Sequence, residues 1–199
     1  TIMLHRASHL KNPLIMDELL RLKNKKFFEN IGVSIQSTEE LEFALKADYL
    51  SIIQIPINIL DYRWERFVKE IEKIKKNRKL KIHARSVFLQ GLLIDNAEKN
   101  WLKANVKDYL SIQDWILKKK KDFNCKSTKS LCVRYINGLY WIDSLVIGVQ
   151  NLEQLNENFL LYKEKPLDQM QINILEKERP ILDINSLDPS KWKKINYGN

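Results

Sequence analysis

The chain has 199 residues, 44% hydrophobic and 30% charged, enough to bury one sizeable core and unlike a disordered or collagen-like polymer. No apolar run approaches the roughly 18 residues of a membrane span, and Thr1-Ile2-Met3-Leu4 places no basic region ahead of an apolar one; no membrane partner is expected, and a cytoplasmic location is. The net charge of +9 would attract a polyanion, but basic residues in the stretches Trp64 to Lys79 and Asp114 to Lys121 mix with Glu65, Glu70 and Glu72, the pattern of solvated helix faces rather than nucleic-acid binding.

In chain order, a strand over Thr1 to His5 is followed by a helix over Met16 to Lys25 and a strand over Asn30 to Ile35. Ser37, with Glu40 three residues on, opens a helix over Thr38 to Lys46 in a capping-box pattern. A strand over Tyr49 to Pro56 leads to a helix over Arg63 to Asn77, where Trp64, Phe67, Val68, Ile71 and Ile74 recur at helical spacing and read as core. A strand over Lys79 to Val87 enters a loop containing Gly91. Helices over Ile112 to Lys121 and Thr128 to Asn137 precede a strand over Ile142 to Val149, a helix over Leu152 to Tyr162 and a last helix over Asp168 to Lys177. The segment Leu187 to Trp192 reads as extended or turn-like, packed over the body. Cys125 and Cys132 have no CxxC or Cys/His spacing, so reduced thiols are expected and no metal site.

Strands alternating with helices imply an α/β fold with a parallel sheet and outer helices, and no low-complexity linker divides residues 1–199 into more than one domain. A doubly wound sheet would normally carry GxGxxG after its first strand, and neither that motif nor GxxxxGK[ST] is present. A (β/α)8 barrel needs roughly 250 residues and three more strands than are visible. A partial barrel accounts for both observations, and for a chain that opens inside a strand.

In βα units, ligands meet the carboxyl ends of the strands. There the sequence places His5-Arg6, Gly32-Val33-Ser34, Gln54 to Asn58, Ser86 to Leu92 and Gly148 to Asn151. Asn151, with Gln154 and Asn158 following, caps a helix N-terminus, which is structural by spacing alone and also suits a phosphate.

These residues carry a family resemblance. His5 after Ile2-Met3-Leu4, Gly32-Val33-Ser34, Gln54-x-x-x-Asn58-Ile-Leu-Asp61-x-Arg63, Arg85-Ser86-Val87-Phe88-Leu89-Gln90-Gly91-Leu92-Leu93, Ile147-Gly148 with Gln154-x-x-x-Asn158, and Asp188-Pro189-Ser190-x-Trp192 stand in the order of the aldo/keto reductases, which the chain resembles over nearly its whole length. The resemblance implies a partial TIM (β/α)8 barrel made of parallel strands four to eight with outer helices, the C-terminal part of such an enzyme, its N-terminal strands missing.

It further implies NAD(P)H-dependent reduction of an aldehyde or ketone to an alcohol on a small-molecule or sugar-like substrate. The alternative is a catalytically inactive nucleotide-binding or protein-association fragment. His5 matches the catalytic histidine that orients the substrate carbonyl. Ser34 and Gln54 match the carboxamide-binding residues, Ser86, Phe88, Gln90 and Leu92 the pyrophosphate and ribose loop, and Gly148, Gln154 and Asn158 the adenosine end; NADP(H) is implied over NAD(H) by the family alone.

Two residues depart from the family pattern. Ile35 stands where the family has Asn, and Ile57 where an aromatic stacks on the nicotinamide ring, leaving an apolar floor. The general-acid tyrosine, with its aspartate and lysine, belongs to strands before the fourth, and Tyr49, Tyr62, Tyr135, Tyr140 and Tyr162 lie in other elements. Asp61 and Arg63 read as a structural ion pair, and His83, mid-strand, as packing.

Overall fold

Lys81-Ile82-His83-Ala84-Arg85 alternates polar and apolar residues, and strands put alternate side chains on opposite faces, so such a segment gives a sheet one apolar and one polar face. The computed structural model, which describes residues 1–193, has this arrangement. Five parallel strands, β1 (Ile2–Leu4), β2 (Ile31–Ser34), β3 (Leu50–Pro56), β4 (Lys81–Arg85) and β5 (Ser144–Leu145), form one sheet in the order β1-β2-β3-β4-β5. The chain divides into two compact units, and the sheet belongs to the first, made of Thr1–Pro56, Arg63–Arg85 and Tyr140–Val146.

Register assigns the faces. Leu4, Val33, Ile53 and Ile82 form one lateral row, and Ile55 and Ala84 part of another; all are buried. Ser34, Gln54, His83 and Ser144 form a row on the opposite face. The alignment of Ser34 with Gln54 depends on a one-residue irregularity between Ile31 and Gly32, since Ile31 pairs with Leu50 but Gly32 with Ile52. Without it Ser34 would lie beside Ile53, because a slip of one residue exchanges the faces.

The first unit also holds α1 (Pro13–Asn24), α2 (Thr38–Lys46) and α3 (Val68–Asn77). The Ser37 hydroxyl accepts the Glu40 N–H as its cap, and Leu41, Ala44 and Leu45 are buried. Arg78 donates to the carbonyls of Leu45, Ala47 and Leu50, tying the end of α2 to the start of β3. The expected stripe is seen, with Trp64, Phe67 and Ile71 buried and Val68 and Ile74 half-buried.

The second unit comprises Ile57–Tyr62, Ser86–Leu139 and Ile147–Asn199. Its helices are α4 (Glu98–Lys103), α5 (Tyr109–Asp122), α6 (Thr128–Gly138), α7 (Leu152–Tyr162) and α8 (Gln169–Glu178). α6 is its central element, burying Leu131, Cys132, Val133, Tyr135 and Ile136. The Tyr135 hydroxyl links Arg179 Nη2 (2.8 Å) to Glu176 (3.0 Å). Lys119, 1% exposed, pairs with Glu178 at 2.6 Å, so its buried charge is neutralised. Cys125 and Cys132 are free thiols, and burial pushes both above the usual thiol range, where little reactive thiolate forms.

Several boundaries differ from expectation. The last strand is only Ser144–Leu145, not Ile142 to Val149. The Asp143 carboxylate takes the Ile82 N–H (2.7 Å), and β4 ends at Arg85, so the ladder has little length to extend over. α1 starts at Pro13 because Asn12 caps Leu14 and Ile15, and Pro favours a first turn. The Arg63 to Asn77 stretch opens with a 3₁₀ turn over Glu65–Phe67 before α3. α4 and a 3₁₀ turn over Ala7–Lys11, both too short for a periodic signal, were not expected. The segment read as extended or turn-like contains a 3₁₀ turn, Pro189–Lys191, capped by Asp188. No helix among the described residues is long and apolar enough to cross a membrane.

Candidate functional site

The polar sheet face ends in a cavity of about 430 Å³ within the first unit. His5, Arg6, Ser34, Gln36, Glu40, Gln54 and Arg85 line it, with Ala7, Ser8 and Ile35. His5 and Arg6 follow β1, Ser34 ends β2, Gln54 lies near the end of β3 and Arg85 ends β4. The lining thus collects at the carboxyl ends of the strands, where parallel βα units place ligands.

Three hydrogen bonds from Arg85 organise the wall. Its Nε–H donates to Ser34 Oγ (3.2 Å), and Nη2 donates to the Ile35 carbonyl (2.8 Å) and to Gln36 Oε1 (2.6 Å). Ser34 in turn donates its hydroxyl proton to Gln54 Oε1 (3.1 Å). A guanidinium only donates, so it occupies a Ser34 lone pair while the Ser34 proton is directed to Gln54. Gln54 meets that proton with its carbonyl oxygen, and its Nε2 has no partner among the described residues. Glu40 Oε2 accepts the Gln36 N–H (2.6 Å), fixing the carboxylate at the first turn of α2. The imidazole of His5 and the guanidinium of Arg6 have no hydrogen-bond or ion-pair partner among the described residues.

His83 lies beside Gln54 in the same row, half-buried. Burial lowers its pKa from the ordinary 6.5, against the pull of Asp143 and with a smaller push from Lys81. The folded chain therefore holds His83 neutral where the unfolded chain begins to take a proton, so this contribution to stability is present above about pH 6.5 and declines as the pH falls below it. Thermal unfolding followed between about pH 7.5 and 5.5 should show that decline, and His83→Gln should flatten it; an unchanged profile in the variant would remove His83 as its source.

The other cofactor-site residues implied by the resemblance lie in the second unit. Ser86, Leu89, Gln90 and Gly91 all have positive φ (58°, 46°, 54° and 86°), a loop conformation costing roughly 1–2 kcal/mol per non-glycine residue. It is held by the Leu89 N–H on the Ser86 carbonyl (2.8 Å), the Leu92 N–H on that of Leu89 (3.0 Å), and burial of Val87, Leu89, Leu92 and Leu93. Gln90 and Leu92 line a cavity of about 590 Å³ together with Asp95, Asn100, Lys103, Trp192 and Lys193. Phe88 is half-buried and Ile57 fully buried.

Gly148 is exposed, and Gln154 and Asn158 are half-buried on α7. Asn151 Oδ1 accepts the Gln154 N–H, and Gln154 Oε1 accepts the Gln150 N–H, both at 2.9 Å. The structural reading of that motif is present in full. Asp61 and Arg63 are both buried.

The sequence reading gives Glu40 only a capping role, places Arg6 and Arg85 in the strand-end and motif runs without a function, and does not name Gln36. One signal was available for Arg85: strand alternation from His83 places it on the same face, at the strand's carboxyl end. The bonds to Ser34 and Gln36, 51 and 49 residues away, had no such signal.

A parallel βα sheet with a polar cavity at its strand ends defines a class of ligand-binding α/β protein. A model of the aldo/keto reductase family matches residues 3–179, and the chain belongs to that family. Among solved structures it is similar to the aldo-keto reductase AKR11C1 from Bacillus halodurans in its holo form, with TM-score 0.69 and 16% identity over 93% of this chain and 64% of that one. It is also similar to the glycerol dehydrogenase AKR11B4 from Gluconobacter oxydans, with TM-score 0.59 and 20% identity over 80% of this chain and 51% of that one. At these identities the likeness establishes the fold. The chain spans less than two thirds of the length of either structure. No curated protein matches the sequence.

Proposed function

We propose that the chain is the nicotinamide-holding portion of an NAD(P)H-dependent aldo/keto reductase, its five strands corresponding to barrel strands four to eight. The enzyme would reduce an aldehyde or ketone group of a small-molecule or sugar-like substrate. The observation that carries this reading is the Arg85–Ser34–Gln54 arrangement, which leaves an amide N–H donor without a partner at a polar cavity in a chain of this family.

A carboxamide oxygen is a fitting acceptor for Gln54 Nε2, and Ser34 acts on it through Gln54. When bound, the reduced nicotinamide supplies a hydride. His5 donates a ring N–H to the carbonyl oxygen and holds the carbonyl for attack. Among the described residues no tyrosine or lysine lines this cavity, and the roles proposed for its residues are binding and orientation. In the second unit, Ser86, Phe88, Gln90 and Leu92 are proposed for the pyrophosphate and ribose, with Lys103 and Lys193 as cations beside Gln90, and Gly148, Gln154 and Asn158 for the adenosine end. NADP(H) over NAD(H) is part of the proposal and rests on the family.

Titrating the chain with NADPH while following nicotinamide fluorescence tests the reading. Saturable binding at micromolar to sub-millimolar cofactor is expected, and none at millimolar cofactor would remove it. One observation favours an association role as a second reading: α7 exposes Leu152, Leu155, Phe159 and Leu160. Sedimentation would report such association as a concentration-dependent mass.

A further inference from the structure

The cavity carries an imbalance of charge that the binding roles do not use. Two guanidiniums, the half-buried Arg85 and the exposed, more strongly screened Arg6, line it against one half-buried carboxylate, Glu40. Arg85 is held by its bonds to Ser34, Ile35 and Gln36, so its charge stays in the wall. Glu40 is fixed too, by the Gln36 N–H, and offsets part of it. Counting its arginines and its glutamate, the lining carries a formal charge of +1 beside the pair proposed to hold the carboxamide.

A nicotinamide ring is a pyridinium cation when oxidised and neutral when reduced. We propose that this cavity discriminates between the two oxidation states by charge, with Arg85 as the residue that makes it bind the reduced cofactor more tightly than the oxidised one. The inference rests on the cofactor reading above. Its chemical basis is that a fixed like charge at a partly buried site is poorly screened and disfavours only the cationic ring. The phosphates and adenosine are identical in both forms, so their contributions cancel in the ratio of the two dissociation constants.

The test measures dissociation constants for NADPH by fluorescence and for NADP⁺ by calorimetry on the same chain. The oxidised-to-reduced ratio should be on the order of ten in the unsubstituted chain, the effect of about one net charge at an effective dielectric between water and the protein interior. Arg85→Gln should bring the ratio to roughly three or below, and Arg85→Lys, which keeps the charge, should hold it. Glu40→Gln keeps an oxygen for the Gln36 N–H but removes the opposing charge, and should raise the ratio several-fold.

Circular dichroism verifies folding for each variant, and Glu40→Gln tests the sign independently should Arg85→Gln fail to fold. Equal affinity for both forms, or a ratio indifferent to Arg85→Gln and Glu40→Gln, overturns the charge inference while leaving the cofactor reading in place. Failure of the unsubstituted chain to bind either form overturns both.

Discussion

Gln54→Leu is expected to weaken NADPH binding about 100-fold, a loss near the upper end of the roughly 1–3 kcal/mol for removing a partner from a buried polar contact. Gln54 Oε1 is the acceptor of the Ser34 proton, and its Nε2 is the donor proposed for the carboxamide. Leucine fills a similar volume but removes both, leaving the ligand oxygen without its donor and the Ser34 proton without its acceptor. Gln54 is half-buried on the polar face, so the sheet should stay folded, with a melting temperature lowered by only a few degrees. Fluorescence titration separates the outcomes. Undiminished affinity in a folded Gln54→Leu chain would take Gln54 out of the binding site and the proposed orientation of Ser34 with it.

Alanine at Gly138 is expected to destabilise the chain by about 3 kcal/mol or more, a large part of the total stability of a domain. Gly138 ends α6, and a Cβ there would stand 2.8 Å from Ile172 Cδ1 and closer still to the Leu167 carbonyl oxygen. The isoleucine can rotate, but the carbonyl cannot, because the Leu167 N–H is bonded to the Arg134 carbonyl of the same helix (3.0 Å) and holds that backbone in place. Ile172 and Leu175 of α8 are buried, so displacing residue 167 disturbs packed helices as well. Urea unfolding of Gly138→Ala checks the value, and a change below 1 kcal/mol would show that the 167 backbone can yield.

Much of the fold was legible because it is written in short-range periodicity. Alternation marks β4, the capping pair marks α2, and Trp64, Phe67 and Ile71 mark a buried stripe by spacing alone. The failures are where the competing signal is tertiary. The strand expected to run to Val149 stops at Leu145, since β4, its neighbour, ends at Arg85. α4, with six residues, is too short for periodicity to reveal.

The candidate site divides the same way. His5, Ser34 and Gln54 were identifiable from a motif order and from the rule that ligands meet the ends of parallel strands, and the structure brings all three to one cavity. The sequence by itself thus determined the alternating α/β order, the polar residues at the strand ends and the family. Only the tertiary structure decided that Ser34 stands beside Gln54 and not Ile53, because a one-residue irregularity at Gly32 exchanges the faces of β2 relative to β3. It alone decided that Arg85 orders the hydrogen bonds of that pair. Register and the reach of a guanidinium across about 50 residues of chain are properties of strands already paired, and no local pattern of residues encodes them.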